Sequence, residues 1–234
     1  MLRIPPRFRR PLTSYSKVQR WVGPLVRNRQ FQLRRKRVRE LCYLDIGCGP
    51  NSHEKLVNMD FLWHPKIDLC WDVCRGLPFR DGALRGVFTE HCLEHFDLPV
   101  VEGILRECRR VLAPGGILRI VVPDAELYLR TYGRQLDGHR TAQFPFQKRE
   151  SLDGDFAAML SVNRVFYQDR ESATGHRVMF DFQLLDLLLR RAGFGSSARV
   201  RFGEGRDSEL LVDSEVRQIE SLYVEAVVTG DNGS

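Results

Sequence analysis

Residues Leu41 to Pro50, LCYLDIGCGP, form an apolar run that ends in an acid and then in a glycine-rich turn. Leu41, Tyr43, Leu44 and Ile46 have the composition of a buried parallel strand, whereas Gly47, Cys48, Gly49 and Pro50 disfavour continuing as strand or helix. The chain must turn there. Two glycines let the backbone approach a ligand with no Cβ in the way, and a helix starting near Asn51 or Ser52 would aim free N–H groups at whatever occupies the turn. The stretch predicts a binding site at the carboxyl end of the first strand of an α/β sheet.

Asp45 narrows the ligand. A carboxylate two residues before the first glycine can accept from a cationic amine or a hydroxyl, but it repels a pyrophosphate. The dinucleotide pattern G-x-G-x-x-G also fails, because Ser52 stands at its third glycine, and no lysine follows as a phosphate-binding P-loop requires. What remains is a nucleoside carrying an amino acid and a positive sulfur. YLDIGCGPN (43–51) resembles the first motif of the class I S-adenosylmethionine (SAM) dependent methyltransferases of the type 11-like kind, and the likeness extends over about 41–229. It implies a Rossmann-like α/β fold: a seven-stranded, mostly parallel sheet with an antiparallel last strand and helices on both faces. It also implies SAM as cofactor, S-adenosylhomocysteine as product, and Gly47, Cys48 and Gly49 beside the cofactor.

Further along, KLVNMD (55–60) predicts a second strand ending in Asp60, whose two carboxylate oxygens match the two adjacent hydroxyls of a ribose, with Phe61 next to it at the cofactor. Asp60 follows Asp45 by fifteen residues, so the helix between them should be brief. A third strand is expected over IDLCWDV (67–73), followed by the loop Gly76-Leu77-Pro78-Phe79. Here the family pattern implies that Asp72 receives the adenine amino group, that Val73 gives backbone contacts and that Phe79 packs beneath.

The fourth strand, GVFTE (86–90), runs into His91-Cys92-Leu93-Glu94-His95-Phe96, which offers two chemistries. As H-x-x-E-H it matches an inverted zinc-peptidase motif, but the match opens straight after a strand, and Phe96-Asp97-Leu98-Pro99 limits any helix carrying it. No metal is assigned on this basis. In the methyltransferase reading, Thr89, Glu90 and His91 face the methionyl part of the cofactor, while Glu94 and His95 border the acceptor pocket; the family group commonly has Leu-Glu-His-Phe here. Transfer to a hydroxyl needs a base, and histidine, with a reference pKa of about 6.5, is largely neutral near pH 7. His95 is the first choice, with His91 and His176 next.

VVEGILRECRRVL (100–112) has apolar residues at 101, 104, 105, 108, 111 and 112, the pattern of an amphipathic helix, stopped by Ala113-Pro114-Gly115-Gly116 before a strand over 117–122. This part is scaffolding, with Asp124 alone singled out. From 127 to 175 the periodicity weakens as in an insertion over the acceptor site, with a helix over 156–166 and with Tyr167, His176 and Arg177 near substrate. A helix over 182–192 and antiparallel closing strands over 198–202 and 222–228 complete the domain. The family likeness includes Gly175-His-x-x-x-Phe-Asp181 and Glu220-Ser-Leu-Tyr-Val-Glu-Ala226.

The composition, 43% hydrophobic and 28% charged, is that of an ordinary globular chain, and 234 residues suffice for one sizeable core. Six cysteines without a CxxC pair suggest reduced thiols. With no apolar run near the roughly 18 residues of a membrane span and no secretory signal pattern, a cytoplasmic protein is expected. Residues 1–40 hold thirteen Lys or Arg and one acid, a local +12 that leaves −6 on 41–234 out of a total of +6. This basic arm, partly helical through Val18, Trp21, Val22, Leu25 and Val26 but broken at Gly23-Pro24, suits the anionic inner face of a membrane. A cover over its own acidic body, a dimer-stabilising extension and a nucleic-acid arm are the other readings. Residues 230–234 are a tail. The group resembled is associated with polysaccharide or lipid-linked glycan synthesis, which makes a glycan or other small-molecule hydroxyl the expected acceptor. A SAM-binding scaffold without turnover and an RNA methyltransferase recruited by the arm are the alternatives.

Overall fold

The computed structural model describes residues 21–139, 162 and 175–229. Seven strands form one sheet: β1 (Tyr43–Ile46), β2 (Val57–Asp60), β3 (Leu69–Cys70), β4 (Leu84–Glu90), β5 (Leu112–Pro123), β6 (Ser196–Val200) and β7 (Ser221–Val227). Their spatial order is β3-β2-β1-β4-β5-β7-β6. β1 to β5 pair in parallel, and β7 runs antiparallel to both β5 and β6. This is the mostly parallel seven-stranded α/β sheet expected, with its closing strands antiparallel to each other. Among the described residues the longer α-helical segments are α1 (21–26), α2 (Lys36–Glu40), α3 (Leu98–Val111), α4 (Ala125–Leu136) and α5 (Phe182–Arg191).

Successive strand residues point to opposite faces, so β1 sends Leu44 and Ile46 one way and Tyr43 and Asp45 the other. On the first face Leu44, Ile46, Val87, Leu118 and Ile120 meet the buried stripes of α3 (Val101, Ile104, Leu105, Cys108, Val111) and α5 (Leu185, Leu188, Leu189). On the second face Tyr43, Phe88, Val121 and Tyr223 are covered by Leu56 and Leu210, with Phe202 and Val212 against them. Each fully buried aliphatic side chain contributes about 2 kcal/mol of transfer free energy.

Three departures from expectation have local causes. No helix separates β1 from β2: residues 47–56 are turn and loop. Side chains satisfy that loop's backbone instead, with Asn58 Nδ2 donating to the His53 carbonyl at 3.0 Å and the Arg37 guanidinium to the carbonyls of Glu54, His53 and Leu56 at 2.7, 3.0 and 2.8 Å. β3 is two residues instead of seven, because Asp72 already caps a 3₁₀ turn at Val73–Arg75. β5 starts at Leu112 and passes through Pro114-Gly115-Gly116 with a register shift opposite Leu84/Gly86, so the glycine stop is absorbed as a strand irregularity.

The described part of the basic segment lies along the outer edge of β3. Asn28 N–H donates to the Cys70 carbonyl at 3.1 Å and Asn28 Oδ1 accepts from Asp72 N–H at 2.8 Å. Gln32, 1% exposed, accepts from Cys70 N–H at 2.8 Å, and its Nε2 faces the Cys70 carbonyl at 3.3 Å. α1 runs through Gly23-Pro24 without the expected break, closing with Arg27 N–H on the Gly23 carbonyl at 2.8 Å. Trp21 and Leu25 are exposed. Among the described residues no helix is long and apolar enough to cross a membrane. The helix expected over 156–166 and Tyr167 lie outside the described residues, Val162 apart.

Candidate active site

The strand order reverses at β1, which has β2 on one side and β4 on the other, and parallel sheets open a crevice at the carboxyl ends of such strands. A cavity of about 810 Å³ lies there, lined from the ends of β1 to β4, from α3 at Val100 and from the segment that holds Arg177.

The glycine turn forms its floor. Gly47, at φ +75°, is tied by packing: a Cβ there would meet Cys92 Sγ at 2.5 Å. Gly49, at φ +57°, has nothing within 4 Å of a Cβ position, so its missing side chain leaves open space on the cavity side. The turn's N–H groups are committed. Those of Gly47 and Cys48 donate to the Met59 carbonyl at 2.8 and 3.1 Å, and that of Gly49 donates to Asp60 Oδ2 at 2.9 Å. The donors expected from a helix at Asn51 or Ser52 are absent because that helix is absent.

Asp60 accepts from Leu62 N–H at 2.7 Å through its other oxygen, and since a carboxylate oxygen has two acceptor sites, both keep capacity toward the cavity. Burial raises its pKa, while the two N–H bonds and the nearby His64 and Arg27 oppose the shift. Phe61 lines the cavity under the Arg27 guanidinium, 3.6 Å from its ring centroid. Asp72 and Val73 line it at the end of β3, where Asp72 Oδ1 accepts from Cys74 N–H at 3.1 Å. The wall also contains Trp71, which sequence reasoning passed over. Its Nε1–H donates to the Gly76 carbonyl at 2.9 Å, and its position directly before Asp72 was the available signal. Phe79 packs against the core instead of the cavity.

Asp45, Cys48 and Glu90 do not line the cavity. Asp45, 2% exposed, sits on the other face of the sheet with His53 Nε2 at 3.6 Å. Burial holds its pKa well above the carboxylate range, and the Glu90 and Asp60 carboxylates add to that. Glu90 instead accepts from Ser214 N–H at 2.9 Å and from the Ser214 hydroxyl. Cys48 packs with Ile67 and Cys70. Asp124 caps α4 by accepting from Glu126 N–H at 3.0 Å, a structural role.

The histidines gather at the far end. His91 and His95 line the cavity, and His176 lies behind them with its ring 5.0 Å from that of His95. H-x-x-E-H forms no helix, because His91 has φ 47° and Leu93–His95 is a single 3₁₀ turn. His91 Nε2 pairs with Ser221 Oγ at 2.8 Å, and burial, with Arg217 and the other imidazoles, pushes its pKa down to about 2. It is neutral and a weak base. Glu94 is 1% exposed, and its pKa is pushed up to about 8, chiefly by burial. Arg177 and Val178 N–H both donate to the Glu94 carbonyl, at 2.7 and 3.3 Å, which docks the segment carrying His176 onto this turn. The Arg177 guanidinium pairs with Asp97 at 2.6 Å.

Residues 64–120 match the family model described as a methyltransferase domain. No curated protein matches the chain. Among solved structures it is similar to a possible exported protein from Bordetella parapertussis (16% identity, TM-score 0.47, 82% of this chain), of which it spans 64%. It is also similar to a SAM-dependent methyltransferase, possible histamine N-methyltransferase, from Thermotoga maritima (16% identity, TM-score 0.48, 91% of this chain and 95% of that one). A third is a SAM-dependent methyltransferase from Archaeoglobus fulgidus (16% identity, TM-score 0.47, 91% and 92%).

Proposed function

We propose, from the premise that the chain carries a methyltransferase domain, that it is a SAM-dependent methyltransferase acting on a hydroxyl of a glycan or other small molecule. The observation that carries this is the character of the floor. Its turn offers no uncommitted N–H from residues 47–49 to a phosphate, while the carboxyl groups of Asp60 and Asp72 line the cavity. Such a floor repels anions and suits a ligand with hydroxyls and positive charge. The residues fit SAM on a further point, since the space a Cβ would fill at Gly49 is empty. Asp60 would hold the ribose, Asp72 and the N–H groups near it the base, and Trp71, Phe61 and Met59 the apolar faces. When bound, SAM supplies a methyl group on a positive sulfur, already activated for transfer.

The chain's own residues then have three tasks: to align the acceptor, to exclude water and to take the hydroxyl proton. His95 lines the cavity and is assigned the proton; His91 is too weak a base and positions instead, through Ser221. Calorimetry with SAM and S-adenosylhomocysteine tests the binding, and transfer of labelled methyl to candidate glycans tests the chemistry. Binding of neither compound removes the reading, and undiminished turnover by His95→Ala removes His95 from it. Exposed Trp21 and Leu25 beside exposed Arg29 favour an anionic membrane surface as the place of action, which sedimentation with anionic vesicles checks.

A further inference from the structure

Behind the cavity wall, Glu94, His95 and His176 bring one carboxylate oxygen and two ring nitrogens within 4.8 Å of one another. They reach this point from separate stretches. Glu94 and His95 stand on the 3₁₀ turn after β4, and His176 arrives on the segment hydrogen-bonded to the Glu94 carbonyl. Glu94 Oε1 faces His176 Nε2 at 3.9 Å and His91 Nδ1 at 3.4 Å.

The carboxylate is what needs explaining. Its residue is 1% exposed, and neither oxygen has a hydrogen-bond partner among the described residues. A buried carboxyl left unsatisfied costs free energy that native structures usually recover with a partner, and a cation between it and two imidazoles is such a partner. We propose that Glu94, His95 and His176 form a binding site for one divalent transition-metal ion of the zinc class.

The chemistry of the set selects the ion. Two imidazole nitrogens and one carboxylate oxygen suit Zn²⁺ and its neighbours in the first row, not the all-oxygen shell that Mg²⁺ and Ca²⁺ prefer. With bonds of about 2.1 Å, ligand atoms at a tetrahedral centre stand about 3.4 Å apart, so the Glu94–His176 pair must close by about half an ångström. His95 has the outer contact typical of a ligating histidine, its Nδ1 lying 3.4 Å from the Gly175 carbonyl, which turns Nε2 to the ligand role. Three protein ligands leave a position for an added oxygen, and His95 opens on the cavity.

The consequence for catalysis rests on the methyltransferase reading: with the ion bound, an acceptor hydroxyl at that position would be acidified and release its proton to solvent water, so His95 would take the proton only in the metal-free protein. The site does not depend on that reading, and its test uses no turnover. The full chain, stripped with chelator, is titrated with Zn²⁺ by calorimetry and with Co²⁺ by visible absorption. One equivalent is expected to bind, with a tetrahedral Co²⁺ spectrum and a Zn²⁺-dependent rise in Tm. Glu94→Gln, which keeps the buried shape, and His176→Ala, at a half-buried position, are each expected to weaken binding at least about 100-fold, with folded circular dichroism spectra. Absence of a stoichiometric site in the wild type overturns the proposal. So does wild-type affinity in either variant, because the residue retained without loss is then no ligand. Failure here leaves SAM binding untouched, and failure of SAM binding leaves the metal titration untouched.

Discussion

Gly47 and Gly49 stand two residues apart and lack side chains for opposite reasons. At Gly47 a Cβ collides with Cys92, so Gly47→Ala should cost stability, about 2–4 kcal/mol from left-handed strain plus overpacking, read by denaturant unfolding. At Gly49 there is room, so Gly49→Ala should cost only the left-handed conformation, about 1–2 kcal/mol, while calorimetry should show SAM binding weakened at least about tenfold. Asp45 gives a third expectation. Its folded pKa is raised, so the native state holds its proton more tightly than the unfolded chain, and ionised Asp45 costs stability above that folded pKa. Asp45→Asn should therefore raise Tm at neutral pH, and the advantage over wild type should shrink as pH falls through the raised pKa toward the usual carboxylate range. Thermal melts across pH check the sign. Residue types at the site were legible and directions were not. All four residues of β1 are buried, so no polar face tells which way an acid points, and Asp45 and Glu90 fall on the face away from the cavity.

Elements were legible where a hydrophobic period was strong, less so at stop signals, since Gly23-Pro24 does not end α1 and Pro114-Gly115-Gly116 is absorbed into β5. The apolar spacing over 101–111 is the buried stripe of α3, and Leu105→Ala there should cost about 2–5 kcal/mol by chemical denaturation. The length of β3 and the loop before β2 were not legible, because side chains from elsewhere replace regular backbone pairing in both. Gln32 shows this most clearly. In an arginine-rich run nothing marks it, yet it pairs with both backbone groups of Cys70 from 38 residues away. Gln32→Ala leaves the buried Cys70 N–H without an acceptor, while the Cys70 carbonyl keeps Asn28 N–H, and should cost about 1–3 kcal/mol in a urea melt, whereas Gln30→Ala, exposed two residues earlier, should lie near zero.

At the scale of the molecule, two long-range joins decide the architecture. One is the fully buried ion cluster in which Arg119 of β5 donates to Asp213 and, at 3.0 Å, to Glu225 of β7. Asp213→Asn weakens the charge-assisted bonds to Arg119 while Glu225 still balances its charge, so it should cost about 1.5–3 kcal/mol, and a loss of less than 1 kcal/mol in equilibrium unfolding would deny the cluster that part. The other join seats the segment at 175–178 on the turn at Glu94 and so completes the far end of the cavity. The seven-stranded, mostly parallel sheet followed from the family likeness carried by YLDIGCGPN, but neither join leaves a local pattern, since each partner lies dozens of residues from the other and is matched only in space.

The strip of chain along β3 sets a further limit on how copies of this protein can meet. A sheet grows when a free rim recruits a foreign strand, and here Asn28 and Gln32 already occupy the rim at β3. Any intermolecular extension of the sheet is thereby directed to the opposite margin, at Ser196–Val200, far from the crevice. Self-assembly by that route would leave the entrance clear.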